Sequence, residues 1–409
     1  MIGAVAATGC HYCGGQAFDP ILDFGQQPIS HRLLSSPGDA EYLHGLALRF
    51  CTQCGLVQIS DPIPPSELYT DYNWLSTWKP QRHVPVLVDW VKALPGLTPD
   101  SLIVEVGSND GLFLDALRQA GYRRVLGLEP ARDAREAAAR KGIETLAGYL
   151  TPEVASQIVA SHGRCALFIA RHVMEHVPDL STFGQAMSTL LALDGYALIE
   201  VPYFQRNLET TDYSLIWEEH TNYFTDGTLQ RLLADYGITV VRRDEFIFSG
   251  EALAVLGRRR SEQALPLTSD GVANTRALVA KYRQNLVPFR DACIRYFEDC
   301  RAGGRDVVVY GAGVRAHAFL NFVGLAPYVR FIVDDQPEKQ GKFFPGARLP
   351  IKPSSALEEI GPALCLLAVN AENEEAVIAR HPQFEARGGR FASVCPPSGR
   401  LLSVWNQLG

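Results

Sequence analysis

The sequence predicts a multidomain α/β protein: a small N-terminal metal module, a central doubly wound sheet that is mixed but mostly parallel, and a smaller C-terminal Rossmann-like unit. Three observations carry this prediction. Two C-x-x-C pairs lie within the first 54 residues, and a strand, glycine turn and helix follow one another at SLIVEVGSNDG (101–111) and again at VVVYGAGVRAH (307–317). A length of 409 residues exceeds what a single core usually supports, so two or three domains are expected.

Residues 1–78 form the first segment. GCHYCGG carries Cys10 and Cys13, and RFCTQCGLVQ carries Cys51 and Cys54, with the short-strand region LDFGQQPISHRLL between them. Four thiolates on two knuckles close a tetrahedral zinc site whose binding free energy folds a module with little core. Such a site is structural, because four sulfurs leave no position open for water, and His11 and His31 are then not ligands. The nine cysteines are an odd number, and a metal in a reducing compartment suits them better than a disulfide framework. Cys165, Cys293, Cys300, Cys365 and Cys395 read as buried apolar residues. The aromatic linker ELYTDYNWLSTWKPQRH follows, with Tyr72 as its candidate functional residue.

Residues 79–260 alternate strand and helix. After the helix VPVLVDWVKAL come the strand SLIVEVG, the helix FLDALRQAG and the strand YRRVLGLEP. CALFIARHVMEHV, ALIEVPYF, GITVVRRDEF and EALAVLGRR supply further strands. Glu105, Gly107, Asn109 and Gly111 place a glycine turn at the carboxyl end of the first strand, where open α/β sheets bind ligands. Glu129, at the end of the second strand, suits two ribose hydroxyls, and Arg171 and His172 end a later one. This spacing favours S-adenosylmethionine over a dinucleotide, whose usual turn is G-x-G-x-x-G. LIWEEHTNYF (215–224) sets Glu218, Glu219 and His220 in an apolar run, either as a solvated turn or as a base with its orienting carboxylate. In an extended run Glu219 and His220 face opposite ways, so contact between them requires a turn.

Residues 261–409 begin with a helical run from Asp270 to about Asp299, interrupted at Pro288, and continue through GAGVRAH and the strand VRFIVDDQP. Gly311, Gly313 and Arg315 suit a diphosphate or make a structural strand-to-helix turn. A net charge of −7 without a Lys/Arg block argues against nucleic acid or an anionic membrane as partner. No apolar run approaches the length of a bilayer span, which predicts a cytoplasmic protein, with a monomer as one admissible state.

Taken in order, the two cysteine pairs, LDFGQQP, LYTDYNWLS, EVGSNDGLFL, GLEPA, ARHVMEHV, EEHTNYF and GAGVRAHAFLNFVGL resemble one family: the S-adenosylmethionine-dependent C-methyltransferases that act on nucleotide-linked keto-deoxysugars in antibiotic biosynthesis. The likeness spans nearly the whole chain. It implies a zinc module, a class I methyltransferase core and a C-terminal Rossmann-like unit, with S-adenosylmethionine and structural zinc as cofactors. It also implies a nucleotide sugar, with dTDP expected as its nucleotide, as small-molecule substrate. By position, His220 falls on the family's base, Glu219 on the acid beside it, and His176 and Tyr72 on further catalytic positions. Gly311, Gly313, Arg315 and Tyr223 are expected at the acceptor. Trp217 stands where the family has tyrosine, and Arg315 where it usually has lysine. Two other readings remain open, the same donor with a non-sugar acceptor and a non-catalytic zinc-ribbon protein that senses a nucleotide.

Overall fold

The computed structural model describes residues 9–68, 81–263 and 270–407, and three sheets organise them. Phe18–Pro28 (β1), Leu43–Cys51 (β2) and Val57–Ile59 (β3) pair antiparallel in the N-terminal part. The second C-x-x-C knuckle is the turn from β2 to β3. It closes because Gly55 adopts a left-handed φ of 82° and donates its N–H to the carbonyl of Cys51 at 2.9 Å.

The helix Val84–Lys92 leads to a seven-stranded sheet that starts with Leu102–Val106 (β4), Arg124–Glu129 (β5), Thr145–Ala147 (β6), Cys165–Arg171 (β7) and Leu191–Pro202 (β8). Asn222–Tyr223 (β9) then leaves it, and the hairpin of Ile238–Ile247 (β10) and Glu251–Arg259 (β11) completes it. The strand order is β10-β11-β8-β7-β4-β5-β6, parallel from β8 to β6 with the hairpin antiparallel at one edge. Alternation along the central strands fills both faces. Val104 and Phe168 enter one apolar core, while Ile103 and Leu167 enter another with Leu87 and Leu114 of the flanking helices. The order reverses between β4 and β7, which makes the carboxyl ends of those two strands the natural ligand crevice.

β9 has no counterpart in the sequence reading. It pairs antiparallel with β3, Asn222 opposite Gln58 and Tyr223 opposite Val57, and so becomes the fourth strand of the N-terminal sheet. The cysteine module thereby grips the residues that directly follow His220.

The C-terminal part opens with a helix, Asp270–Ala302. It runs through Pro288 rather than breaking there. Proline removes one helical donor, but Tyr282, Phe289, Cys293 and Phe297 on either side of it are all buried and keep both halves on one line. Asp306–Tyr310 (β12), Ile332–Val333 (β13), Ile351–Lys352 (β14), Ala363–Leu367 (β15) and Arg390–Ser393 (β16) follow, all parallel, in the order β14-β13-β12-β15-β16. β13 is shorter than VRFIVDDQP suggests. The Asp334 carboxylate accepts N–H groups from Ala312 at 2.8 Å and Gln336 at 2.9 Å, and this turns the chain away. Among the described residues no helix is long and apolar enough to cross a membrane.

Candidate active site and metal centre

The two knuckles bring Cys10 and Cys54 to a sulfur separation of 3.5 Å and Cys13 and Cys51 to 3.6 Å, with all four sulfurs within 4.8 Å of one another. Zinc–sulfur bonds of about 2.3 Å in a tetrahedron place sulfurs roughly 3.8 Å apart, so this donor set fits zinc and leaves no vertex for water. His11 turns instead to Asn222, with Nδ1 3.0 Å from its Oδ1, and His31 lies 3.4 Å from the Glu219 carboxylate.

At the crevice, Gly107 (φ 63°), Asn109 (φ 49°) and Gly111 (φ 72°) form a left-handed turn ahead of the helix Leu112–Gln119. A Cβ on Gly107 would sit 2.4 Å from Val173, and one on Gly111 3.3 Å from Ala138, so both sites require glycine for packing as well as for φ. The Glu129 carboxylate accepts the N–H of Asn109 at 2.9 Å and of Ala131 at 2.8 Å, which fixes it beside the turn. Glu105 is 3% exposed, and its Oε2 has no partner among the described residues. Burial pushes its carboxyl up to about 8 against the pull of Arg171. A carboxylate fixed at Glu129, a glycine turn that lets backbone approach a ligand closely and an unpaired buried carboxyl at Glu105 fit a cationic nucleoside donor such as S-adenosylmethionine.

Arg171 and His172, at the carboxyl end of β7, are both paired with buried carboxylates. Arg171 Nε lies 2.7 Å from Glu200, a carboxylate with no exposure, and the guanidinium covers the Phe113 ring at 4.6 Å. His83 Nε2 is 2.7 Å from the other Glu200 oxygen. His172 has a left-handed φ of 53° and stands between Glu175 at 3.3 Å and Glu200 at 3.4 Å. Burial opposes charge on His172, but the two carboxylates outweigh it and raise the group to about 9. Burial alone would raise Glu200, yet Arg171 and His172 hold it well below the usual carboxylate range. The result is a paired, charged floor under the crevice. The sequence reading missed His83, Glu175 and Glu200; the signal for Glu200 was a carboxylate inside the apolar run ALIEVP.

Above this floor the 3₁₀ turn Met174–His176 meets residues 217–220. The His176 and His220 rings approach to 5.0 Å edge to face, and Trp217 meets His220 at 4.8 Å, also edge to face. A Glu175 oxygen and one nitrogen of each histidine lie within 4.8 Å of one another. His176 Nδ1 donates to the carbonyl of Glu219 at 2.8 Å. His220 is 7% exposed, and burial, then the neighbouring His176 and His172, lower it well below 6.5. It is therefore neutral near pH 7, the state a base requires.

The expected carboxylate partner of His220 is absent among the described residues. Glu218 instead accepts both the N–H and the Oγ–H of Ser30 at 2.7 Å, Glu219 faces His31, and His220 Nδ1 has no partner. The N–H of His220 turns back to the carbonyl of Trp217 at 3.0 Å, which throws the three side chains in different directions. Trp217 donates its indole N–H to Ser30 Oγ at 3.1 Å. Tyr223 is closed to an acceptor: its O–H is spent on the carbonyl of Trp217 at 3.1 Å, and its ring is 3% exposed. Tyr72 lies outside the described residues.

In the C-terminal sheet, Gly311 takes φ 102°, and a Cβ there would stand 3.0 Å from the carbonyl oxygen of Ala368, so the β12 turn requires glycine. Gly313 has extended backbone and open space around it. Arg315 is a clamp between units rather than an open anion receptor. Asn370, Ser214, Cys395 and the carbonyl of Ser249 take four of its five N–H groups at 2.8–3.2 Å.

Three family models match successive stretches of the chain. Residues 10–69 match a zinc binding domain family, residues 81–243 a methyltransferase domain family and residues 263–396 the C-methyltransferase C-terminal domain family. C-methyltransferase NovU of Streptomyces niveus is 32% identical over an alignment of 414 positions that covers 98% of each chain. A ubiquinone biosynthesis O-methyltransferase of Bordetella avium is 24% identical over 148 residues, 36% of this chain and 60% of that protein. A solved methyltransferase from Anabaena variabilis aligns with a TM-score of 0.37 at 20% identity, over 48% of this chain and 91% of its own.

Proposed function

This chain belongs to the S-adenosylmethionine-dependent C-methyltransferases represented by NovU, and from that premise we propose that it methylates the carbon beside the ketone of a nucleotide-linked keto-deoxysugar. The observation that carries the reading is the neutral, buried His220 packed against His176 beside the glycine turn of the crevice. Family membership sets aside the non-catalytic, nucleotide-sensing reading.

S-adenosylmethionine supplies the methyl group on a sulfonium, and its sulfur leaves as a thioether when the new carbon–carbon bond forms in line with it. The turn at 107–111 and the Glu129 carboxylate hold and orient the donor, which supplies much of the rate by proximity. His220 removes the proton next to the ketone, and the C–H electron pair moves into the enolate, whose oxygen takes the charge. A base of this kind contributes typically ~10²–10⁴ in rate. His176, its Nδ1–H held on the carbonyl of Glu219, stands beside His220 where that oxygen would lie. In this reading residues 1–78, 79–260 and 261–409 act as metal module, methyl-transferring core and acceptor-binding unit. The Gly311 and Gly313 turn then meets the diphosphate.

One observation favours exchanging the two histidine roles. With Nδ1–H fixed on the Glu219 carbonyl, a neutral His176 presents a bare Nε2, which is itself a base in the correct tautomer.

Incubation with S-adenosylmethionine and a panel of dTDP-, UDP-, GDP- and CDP-linked keto sugars tests the proposal. S-adenosylhomocysteine should appear together with a C-methylated sugar, and the α-proton should exchange in D₂O. Turnover only with a non-sugar acceptor, or without α-proton loss, would overturn the sugar or the enolate respectively. Glu129→Ala should weaken S-adenosylhomocysteine binding about 10- to 100-fold, the range set by ~1.5–3 kcal/mol for hydrogen bonds to a charged group. Titration calorimetry reads this directly, and an unchanged Kd would remove Glu129 from the donor site.

A further inference from the structure

We infer that Asn222, set by His11 of the first cysteine knuckle, is a positioning residue that fixes His176 and His220 relative to each other; the inference rests on the two-histidine reading above. His11 lies directly after the metal-ligating Cys10, and its backbone N–H donates to Gln58 Oε1 at 3.1 Å. Gln58 stands opposite Asn222 in the β3–β9 pair. His11 Nδ1 is 3.0 Å from Asn222 Oδ1, which only accepts, so the imidazole carries its proton there and holds the amide in one orientation. That orientation aims the Asn222 amide N–H groups at the carbonyls of Met174 (3.1 Å) and Val177 (2.6 Å). Thr221 Oγ–H takes the carbonyl of Glu175 at 3.1 Å, and the N–H of Ile59 in β3 takes the carbonyl of Thr221 at 3.0 Å.

The two residues that follow His220 therefore satisfy three backbone carbonyls on either side of His176. Within the turn only the Met174 carbonyl finds a partner, the N–H of Val177 at 3.3 Å, so those of Glu175 and Val177 depend on Thr221 and Asn222, and Met174 and Glu175 are buried from water. Rotation of the Asn222 amide would present an oxygen to two carbonyls and release the turn. The tetrahedron of sulfurs sets where His11 stands, so the Asn222 amide links the metal module to the geometry of the catalytic pair. A displacement near 1 Å between reacting groups costs on the order of 10²-fold in rate.

The test uses the full chain with zinc bound. His11→Ala should keep one zinc per chain and the native Kd for S-adenosylhomocysteine, while kcat falls about 10- to 100-fold with little change in KM. The ¹⁵N-imidazole resonances of His176 and His220 should move together. His11→Gln, whose amide N–H can donate to Asn222, should recover part of kcat, and Asn222→Ala should reproduce the loss if it folds. A His11→Ala chain with lowered Tm but native kcat and unmoved His176 and His220 resonances would overturn the proposal, because a purely structural contact predicts that pattern. If wild-type protein exchanges no α-proton with any keto sugar, the functional reading fails instead, and the resonances still report on the brace.

Discussion

His220→Ala should slow methylation of the keto sugar about 10²- to 10⁴-fold, while S-adenosylhomocysteine binds with its native affinity. The donor side of the crevice is built from the 107–111 turn and Glu129, and His220 contributes nothing to either. Removing the ring also leaves the charged floor of Arg171, His172 and Glu200 intact, so the loss should fall on kcat rather than on folding. The α-proton exchange rate in D₂O distinguishes the two histidines. If His220 is the base, His220→Ala abolishes exchange and His176→Ala retains a slow rate; the opposite pattern assigns the base to His176. Exchange at native rates in His220→Ala would remove His220 from proton transfer.

The pH profile follows from the same burial. The protonated form of His220 is disfavoured in the fold, so the neutral base persists as the pH drops, and the acid limb of kcat/KM should lie below 6.5 rather than at it. His172 has the opposite sign. It is held charged by Glu175 and Glu200 and raised to about 9, so its contribution to stability is complete below 6.5 and is lost as the pH rises through 9. Thermal unfolding between those values should show Tm falling with pH, and His172→Ala should flatten that slope.

What was legible in the sequence is what local rules dictate. Cysteines three apart followed by glycine make knuckles; near-continuous apolar runs make β4 and β7; glycines at φ 63° and 72° mark a turn that favours glycine. The residues proposed to hold the donor lie within one strand–turn–helix and the next strand end, so their spacing can be read along the chain. The histidine pair was legible as residues but not as geometry. Whether Glu219 reaches His220 depends on a back-turn at Trp217, and whether Glu218 is free depends on Ser30, 188 residues away. The charged floor gathers His83, Arg171 and Glu200 from three distant segments, and no pattern along the chain announces such a meeting. Arg315 misled for the same reason: its charge is readable, but its partners at Ser214, Ser249, Asn370 and Cys395 are not. The departure at Trp217 gains an explanation only in three dimensions. The indole keeps a ring against His220 and replaces a hydroxyl with an N–H directed at Ser30.

Cys54→Ser, or removal of zinc by a strong chelator, should abolish methylation even though the metal touches no reacting atom. The N-terminal sheet has only three strands of its own, and the apparent zinc-binding free energy of ~10–16 kcal/mol seen in zinc-finger peptides is of the size that folds such a module outright. Three of the four cysteines are buried, so loss of the metal leaves a cluster of sulfurs that must hydrate or rearrange. β3 would then lose its register, and with it the pairing to β9, the Ser30 contact to Glu218 and the indole bond of Trp217. All three hold residues 217–223, so His220 would lose its position while the donor site, built wholly from residues 105–131, stays folded. The metal-free chain should therefore bind S-adenosylhomocysteine at near-native affinity, exchange no α-proton, and recover exchange when zinc returns to one per chain. Full turnover without zinc would show that residues 217–223 hold their place through the core alone. Loss of donor binding with the metal would show instead that the cysteine module supports the whole sheet.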